Sequence, residues 1–311
     1  MRAAPAAEPA KASLSHGLPT RNGVGPSCVG LPAGTWPTIT DFLTERFPAV
    51  SREVWLTRMA AGCVVDEFGT PVTESRAYPK PMRVYYYREV PVEPRIPFEE
   101  QLLYQDAHLV ACDKPHFLPV TPSGNYLQET LLVRLKRRLN IATLVPIHRI
   151  DRETAGVVLF CVKASERDAY QSLFRRHEVE KHYEAIAPWR ADLAFPLIRK
   201  SRIVQDEPFF RQREVPGLPN SETQIDVIEV RGDQARYALS PVTGKKHQLR
   251  VHMNALGLPI ANDRMYPPVD DTPDDDYSTP LQLLAKSIAF ADPVTGEVRR
   301  FESGFRLKPL V

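Results

Sequence analysis

The sequence has few cysteines, and their positions suggest neither a metal site nor disulfide bonds. Four cysteines stand among its 311 residues, namely Cys28, Cys63, Cys112 and Cys161. They form no Cys-x-x-Cys pair, and no histidine lies near them at the spacing of a zinc ligand. We therefore expect isolated thiols in a reducing compartment, which points to the cytoplasm, with no metal ligands.

Long apolar segments are also missing. No run approaches the roughly 18 apolar residues that a membrane helix needs, and the first residues lack the apolar core of a secretory signal. Hydrophobic residues make up 43% of the chain and charged residues 25%, an ordinary balance for a globular protein of one or two domains. We expect no membrane partner.

A strong net charge is absent as well, since the chain carries only +2 at pH 7. The positive residues are nevertheless clustered, and acidic residues are concentrated separately at 270–276. Such an uneven field can guide a nucleic-acid backbone to one face, although any single cluster is equally typical of a solvated helix. The basic clusters lie at 134–138, 148–152, 175–176, 199–202, 211–213 and 245–246.

Composition and local patterns divide the chain into three parts. Residues 1–35 are rich in Ala, Pro, Gly and Ser, which predicts a disordered tail, with a transit peptide as the weaker alternative. Residues 36–90 predict a small unit, in which Thr38 or Thr40 caps one helix and Ser51 caps a second. A proline-rich linker then leads to a larger domain at 98–311.

The small unit has the order helix, FPAVSR, helix, GCVVDEFGTPV and hairpin. This order resembles the RNA-binding module named after ribosomal protein S-four. Members of that family usually carry more Lys and Arg on the second helix, which here offers chiefly Arg52 and Arg58. Both an RNA-binding module and a structural appendage therefore remain open.

The larger domain mixes strands and helices without strict alternation, which favours the α+β class. Apolar and β-branched runs predict strands at 109–112 and 157–162 and a hairpin at 223–230 and 235–240. Helices are predicted at 128–139, after a Ser165 cap with Asp168, and from Lys246 to Gly257.

One segment of this domain suggests chemistry. Residues 148–156 read HRIDRETAG, so Asp151 stands between Arg149 and Arg152 just before a predicted strand. Nearby positive charge keeps a carboxylate ionised by lowering its pKa. For an arbitrary aspartate in this setting, a structural ion pair would be the more common explanation.

The whole segment resembles the HRLDRxTSG signature of the RluA-type pseudouridine synthases, with Ile150 for Leu and Ala155 for Ser. Further matches lie on both sides of this segment, in the order of the family. The sequence departs from the family at two places: His116, Phe117 and Leu118 stand where a Gly is usual, and Leu284 and Asp292 replace two histidines. The matching segments begin at Leu103, Val179, Thr243, Gly257, Leu283 and Phe290.

This resemblance implies a mixed, largely antiparallel sheet flanked by helices and a cofactor-free, monomeric isomerase. Its substrate would be uridine in structured RNA, ribosomal or transfer RNA. Asp151 would be the catalytic carboxylate, Tyr183 would line the uracil pocket, and Arg250 would pair with Asp151. Taken singly, Tyr183 also fits ordinary packing, and Arg250 a surface charge. The residues expected to bind RNA are Arg149, Arg152, Lys114, Lys181, Lys245, Lys246 and His247.

Two rival functions remain open from sequence. The first is an RNA-binding protein or chaperone without catalysis on the same fold, against which Asp151, Tyr183 and Arg250 together count. The second is a glycoside or nucleoside hydrolase, which usually needs a second carboxylate as an acid. Glu153 is near in sequence, but nothing in the sequence marks it for that role.

Overall fold

The computed structural model describes residues 18–79, 81–90, 92–208, 210–267, 273 and 275–310. The chain divides into two units, residues 1–93 and 94–311. Helices and mainly antiparallel strands occur together, which confirms the predicted α+β class. None of the helices in the described ranges has the length and apolar character to span a membrane.

The first unit holds a three-stranded antiparallel sheet in the order β1-β3-β2. Its described elements are β1 (Ser27–Gly30), α1 (Ile39–Arg46), α2 (Arg52–Ala60), β2 (Val64–Asp66) and β3 (Arg83–Tyr86). The predicted tail wrongly included β1, which pairs with β3 along its whole length. Residues 1–17 of that tail lie outside the described residues.

Local capping explains both helices of this unit. Thr38 and Asp41 form a reciprocal capping box at the start of α1, and Ser51 accepts from the Val54 N–H at the start of α2. The basic residues of α2 already have neighbours, because Arg52 pairs with Asp41 at 2.6 Å and Arg58 lies 5.2 Å from the Trp55 ring. The resemblance to the S-four module stays a prediction.

The second unit is built on one sheet of eleven strands among the described residues. Nine of them follow the order β10-β9-β11-β12-β8-β13-β7-β5-β4, while β6 pairs with β7 and β14 with β13. The strands are β4 (Gln101–Gln105), β5 (Leu109–Lys114), β6 (Val145–Pro146), β7 (Ala155–Cys161), β8 (Glu180–Pro188), β9 (Leu197–Gln205), β10 (Gln212–Val215), β11 (Ser221–Arg231), β12 (Gln234–Pro241), β13 (Leu283–Ala291) and β14 (Val298–Glu302).

Three described helices flank this sheet, α3 (Leu131–Leu139), α4 (Arg167–Arg175) and α5 (Gln248–Ala255). The prediction that Ser165 caps α4 is wrong, because a short 3-10 turn occupies Ala164–Glu166 and the helix starts after it. In α5, Leu249 and Met253 lie one turn apart and pack into an apolar cluster with strands β8, β11 and β12. This packing fixes the helix that carries Arg250.

Strand β13 occupies a central place, between β7 and β8. It runs parallel to β7, with Leu284 opposite Ala155 and Ala285 opposite Gly156. Gly156 has φ of 116°, and a Cβ there would lie 2.2 Å from the Ala285 carbonyl oxygen. Only glycine fits this close approach, so the last residue of the HRIDRETAG segment has a packing reason.

Candidate active site

Asp151 lies in the loop between β6 and β7, where 25% of its side chain is exposed. The Arg250 guanidinium donates from Nη1 to Asp151 Oδ2 at 3.3 Å. On the other side, His247 Nε2 stands 3.8 Å from Asp151 Oδ1. The structure thus brings the predicted carboxylate and arginine together, although they are 99 residues apart in sequence.

Arg250 is held mainly by a second aspartate. Asp263 accepts from Arg250 Nε and Nη2, each at 2.7 Å, in a bidentate pair that is almost completely buried. Asp263 also accepts from the backbone N–H groups of Met265 and Tyr266. Because only 2% of its side chain is exposed, the alternative interpretation of Arg250 as a surface charge is wrong.

The surroundings of Asp151 favour its ionised form. Burial raises its pKa, whereas His247, Arg250 and Lys114 lower it, and the result is a pKa below the ordinary value. Burial also lowers the pKa of His247 to about 4, so this ring is neutral at neutral pH. Arg250 therefore supplies the positive charge that directly faces Asp151 there.

Tyr183 lies on β8, close enough to Asp151 for the charge of the carboxylate to affect its pKa. Burial and the charge of Asp151 raise the pKa of its phenol, which therefore stays protonated. Its backbone stands opposite Ala285 of β13 and Leu239 of β12 in the sheet. Strand β8 thus positions an uncharged, half-buried aromatic ring close to the ionised carboxylate.

The chain is similar to known proteins in its sequence. The family model for RNA pseudouridylate synthase matches residues 108–255. The dual-specificity RNA pseudouridine synthase RluA of Haemophilus influenzae is 33% identical over 219 residues, which cover 68% of this chain and 94% of the relative. The Escherichia coli RluA is 33% identical over 209 residues, with coverages of 65% and 91%. This chain belongs to the RluA-type RNA pseudouridine synthase family.

The fold of this chain also matches a solved structure of a pseudouridylate synthase domain. The human RNA pseudouridylate synthase domain containing 4 aligns with a TM-score of 0.51 and 26% identity, covering 67% of this chain and 88% of the human chain. The family resemblance that the sequence predicted is therefore confirmed, and with it an isomerase of the pseudouridine synthase class.

Lys114, which the sequence predicts to bind RNA, does not reach the surface of this pseudouridine synthase. Its side chain is fully buried, and Nζ donates to the carbonyl oxygens of Pro115, Leu118 and Arg152 at 2.8–3.0 Å. Burial lowers its pKa to about 7. The prediction that Lys114 binds RNA is thus wrong, because three carbonyl oxygens enclose its side-chain nitrogen. Its bond to the Arg152 carbonyl oxygen instead connects the loop after Asp151 to β5.

The other predicted RNA-binding residues differ in exposure. Arg149, Lys245 and Lys246 are exposed, and Lys246 is close enough for Asp151 and Arg149 to affect its pKa. Lys181 is half-buried and donates to the Thr243 carbonyl oxygen at 3.1 Å. We call the three exposed residues Arg149, Lys245 and Lys246 the basic rim, of which Lys246 is close to Asp151.

Arg152 and His247 are less accessible than a surface RNA-binding residue would be. Arg152 is half-buried, donates from Nε to the Phe117 carbonyl oxygen at 3.1 Å and lies over the Tyr126 ring. His247 is buried beside Asp151. Arg152 thus supports the loop, whereas His247 belongs to the site itself.

Sequence reasoning missed several residues of the site. Asp263 lies in GLPIAND, a segment that resembles the family, so the sequence carries a signal for this residue but not for its role as the partner of Arg250. Glu153 stands 3.9 Å from Arg250 Nη1, and Tyr266 lies 5.3 Å from the same guanidinium. No local pattern marks Tyr266, because its role depends on contacts with distant segments.

The four cysteines form no disulfide bonds among the described residues. Cys63, Cys112 and Cys161 are buried, Cys28 is half-buried, and all four thiols are free. Within the described part of the chain, no three His, Cys, Asp or Glu side chains are grouped closely enough to hold a metal ion.

Proposed function

We propose that this pseudouridine synthase isomerises specific uridines in ribosomal or transfer RNA, with Asp151 as its catalytic carboxylate. The observation that carries the proposal is the position of Asp151, which is faced by Arg250 and coupled to Tyr183 while a quarter of its side chain stays exposed. A carboxylate that is both ionised and accessible is suited to act on a substrate.

The reaction requires such a group. Pseudouridine forms when the bond between uracil N1 and ribose C1′ breaks, the base turns, and C5 joins the same sugar carbon. Positive charge develops on the sugar as the glycosidic bond breaks. Asp151 can stabilise this charge or form a bond to the sugar, and Arg250 keeps it ionised and oriented.

Tyr183 and the basic rim have supporting roles in the proposal. Since burial keeps its phenol uncharged, Tyr183 offers a neutral ring against which the detached uracil can stack. A uridine inside a helix must be extruded first, at a cost of a few kcal/mol. Arg149, Lys245 and Lys246 are exposed, with Lys246 close to Asp151, and would hold the flanking phosphates.

The substitution Asp151→Asn tests the catalytic role. It keeps the size of the side chain but removes its charge, so we expect turnover to fall by at least about 10³-fold. Tritium release from RNA labelled at uracil C5 measures the rate. The matched control is Asp168→Asn, which removes a surface aspartate paired with Arg175 at 2.8 Å and should leave the rate unchanged. Normal turnover by Asp151→Asn would exclude the role.

The products distinguish the proposal from its rivals. An isomerase yields pseudouridine in intact RNA, a hydrolase releases free uracil, and a binding protein changes neither. Chromatography of digested RNA after incubation with the purified chain separates these outcomes. Mapping pseudouridines in cellular RNA with and without the gene identifies the target RNA.

The proposal includes a monomer that acts in the cytoplasm. Size-exclusion chromatography with light scattering tests the first part, and imaging of the tagged protein tests the second. A stable dimer or a location in another compartment would revise these points without affecting the role of Asp151.

A further inference from the structure

A buried tyrosine hydroxyl connects β10 with the active site. The Tyr266 hydroxyl accepts from the Gln212 backbone N–H at 2.7 Å and lies 2.8 Å from His247 Nδ1. Tyr266 is only 2% exposed. Its ring also lies beneath the Arg250 guanidinium, at 5.3 Å from the centroid. Tyr266 therefore contacts both residues that face Asp151.

The positions of the protons in this chain of contacts can be assigned. The Gln212 N–H has one proton and can only donate, so the Tyr266 oxygen is its acceptor. The hydroxyl proton then needs an acceptor of its own. Among the described residues, His247 Nδ1 is the remaining hydrogen-bond partner of this hydroxyl.

The opposite assignment leaves a buried proton unsatisfied. If His247 Nδ1 carried a proton and donated it, the Tyr266 hydroxyl proton would have no acceptor among the described residues, at a cost of about 1–3 kcal/mol. The neutral imidazole has one proton to place, and it must then lie on Nε2. Burial favours this neutral form of His247.

The proton on Nε2 faces the proposed catalytic carboxylate. His247 Nε2 stands 3.8 Å from Asp151 Oδ1, while Arg250 donates to the other oxygen, Oδ2. A distance of 3.8 Å is too long for a hydrogen bond, but such contacts often shorten when a substrate closes the site. One neutral and one charged donor thus stand on the two sides of Asp151.

We infer that Tyr266 is a positioning residue that fixes His247 as its Nε2–H tautomer, so that His247 directs an uncharged hydrogen-bond donor at Asp151 Oδ1. The inference rests on the proposed role of Asp151. It adds that the carboxylate is oriented by two donors, of which only Arg250 neutralises its charge. A second cation would weaken the carboxylate as a nucleophile, whereas a neutral donor orients it at less cost.

The first experiment reads the tautomer without turnover. Heteronuclear NMR on the full chain, with histidine labelled in its ring nitrogens, shows which nitrogen carries the proton, and the His247→Gln spectrum assigns the signal. We expect protonated Nε2 and unprotonated Nδ1 in the wild type, and a mixed or reversed pattern in Tyr266→Phe. A wild-type proton on Nδ1 would overturn the inference.

Activity provides the second readout. Loss of one orienting hydrogen bond predicts that Tyr266→Phe lowers kcat by about 10-fold. The matched control is Tyr237→Phe, which removes another buried hydroxyl, one that donates to the Pro188 carbonyl oxygen at 2.8 Å. This control should keep both the rate and the His247 tautomer. Equal losses in both variants would contradict a specific role for Tyr266.

A pair of His247 variants separates chemistry from folding. The amide nitrogen of Gln can reach the position of Nε2, whereas that of Asn reaches only the position of Nδ1. His247 has φ of 55°, a conformation that Asn tolerates better than Gln. We therefore expect His247→Gln to be the less stable protein and yet to keep a rate within about 10-fold of wild type, with His247→Asn about 10²-fold slower. If the rates instead follow stability, the donor role is wrong.

These tests can fail independently of the proposed function. Full activity in Asp151→Asn would rule out the catalytic role of Asp151, but it would not affect the tautomer of His247 measured by NMR. A wild-type proton on Nδ1, with Asp151→Asn inactive, would remove the role of Tyr266 and keep that of Asp151.

Discussion

The segment around Asp263 and the loop around Asp151 each place a carboxylate on Arg250, but the two regions are held in different ways. Asp263 is fixed through its carboxylate, which accepts two bonds from Arg250 and two from backbone N–H groups. The loop around Asp151 is fixed through its backbone, since Lys114 donates to the Arg152 carbonyl oxygen and His116 Nδ1 contacts that of Glu153.

This difference identifies the carboxylate that remains available. The Asp263 carboxylate accepts four hydrogen bonds in a structural network, whereas the Asp151 carboxylate accepts one, of 3.3 Å, among the described residues and remains partly exposed. A loop that is held by its backbone can present a side chain to a substrate without losing its own position. We therefore interpret Asp263 as the anchor of Arg250 and Asp151 as the reacting group.

The sharpest way to break this comparison is to remove each carboxylate in turn. Asp263→Ala leaves the buried Arg250 without its bidentate partner, and we expect the free energy of unfolding to fall by about 3–5 kcal/mol. Asp151→Ala should change it by less than about 1 kcal/mol, because the pair is longer and partly exposed. Urea denaturation followed by circular dichroism measures both. Similar losses in the two variants would remove the distinction between anchor and reacting group.

The second prediction concerns the lysine that holds the Asp151 loop. The pKa of Lys114 is about 7 in the folded chain and about 10.4 in an unfolded one. Between these values the unfolded state binds more protons, so stability should rise with pH, by about 1.4 kcal/mol per pH unit. Below pH 7 both states are protonated and the slope from this group disappears.

The substitution Lys114→Met isolates this contribution. Subtracting its unfolding free energy from that of the wild type at several values of pH should leave a difference that grows from neutral to alkaline pH. A flat difference would show that the carbonyl oxygens of Pro115, Leu118 and Arg152 keep the ammonium charged throughout. Lys114 would then act as a permanently charged support of the loop.

The smallest predicted effect is a difference in stability between two variants of Phe117, which lies in the loop that Lys114 closes. Phe117 has φ of 67° and lies in the segment 116–118, which departs from the Gly expected from the family resemblance. Its ring is buried and contacts Phe98 and Tyr277, so loss of the ring should cost about 3–5 kcal/mol. Phe117→Gly should nevertheless be about 1 kcal/mol more stable than Phe117→Ala, because only glycine adopts this φ without strain. The opposite order in thermal unfolding would show that φ is relaxed in the variants.

Features that depend on adjacent residues were predictable from sequence. The Thr38 and Ser51 caps, the hairpin of β11 and β12 and the helix carrying Arg250 all follow from short patterns. Asp151 and Arg250 could be predicted only from longer segments that resemble the family, because their pairing spans 99 residues.

Features that depend on distant contacts were not predictable. Strand β1 lies in a stretch rich in Pro and Gly, and it becomes a strand only because β3, more than fifty residues later, pairs with it. No local pattern distinguishes Lys114 from an exposed lysine, because its burial depends on loops that place three carbonyl oxygens around its side-chain nitrogen. The same holds for Tyr266, whose partners are Gln212 of β10 and His247, the residue before α5.

The central place of β13 has a consequence for biosynthesis. This strand separates β8, which carries Tyr183, from β7, which follows Asp151, and it pairs with both. A ribosome therefore makes Asp151, Tyr183 and Arg250 well before the strand that joins their two halves of the sheet. We expect the nascent chain to be inactive until residues 283–291 have emerged from the ribosome and joined these two halves.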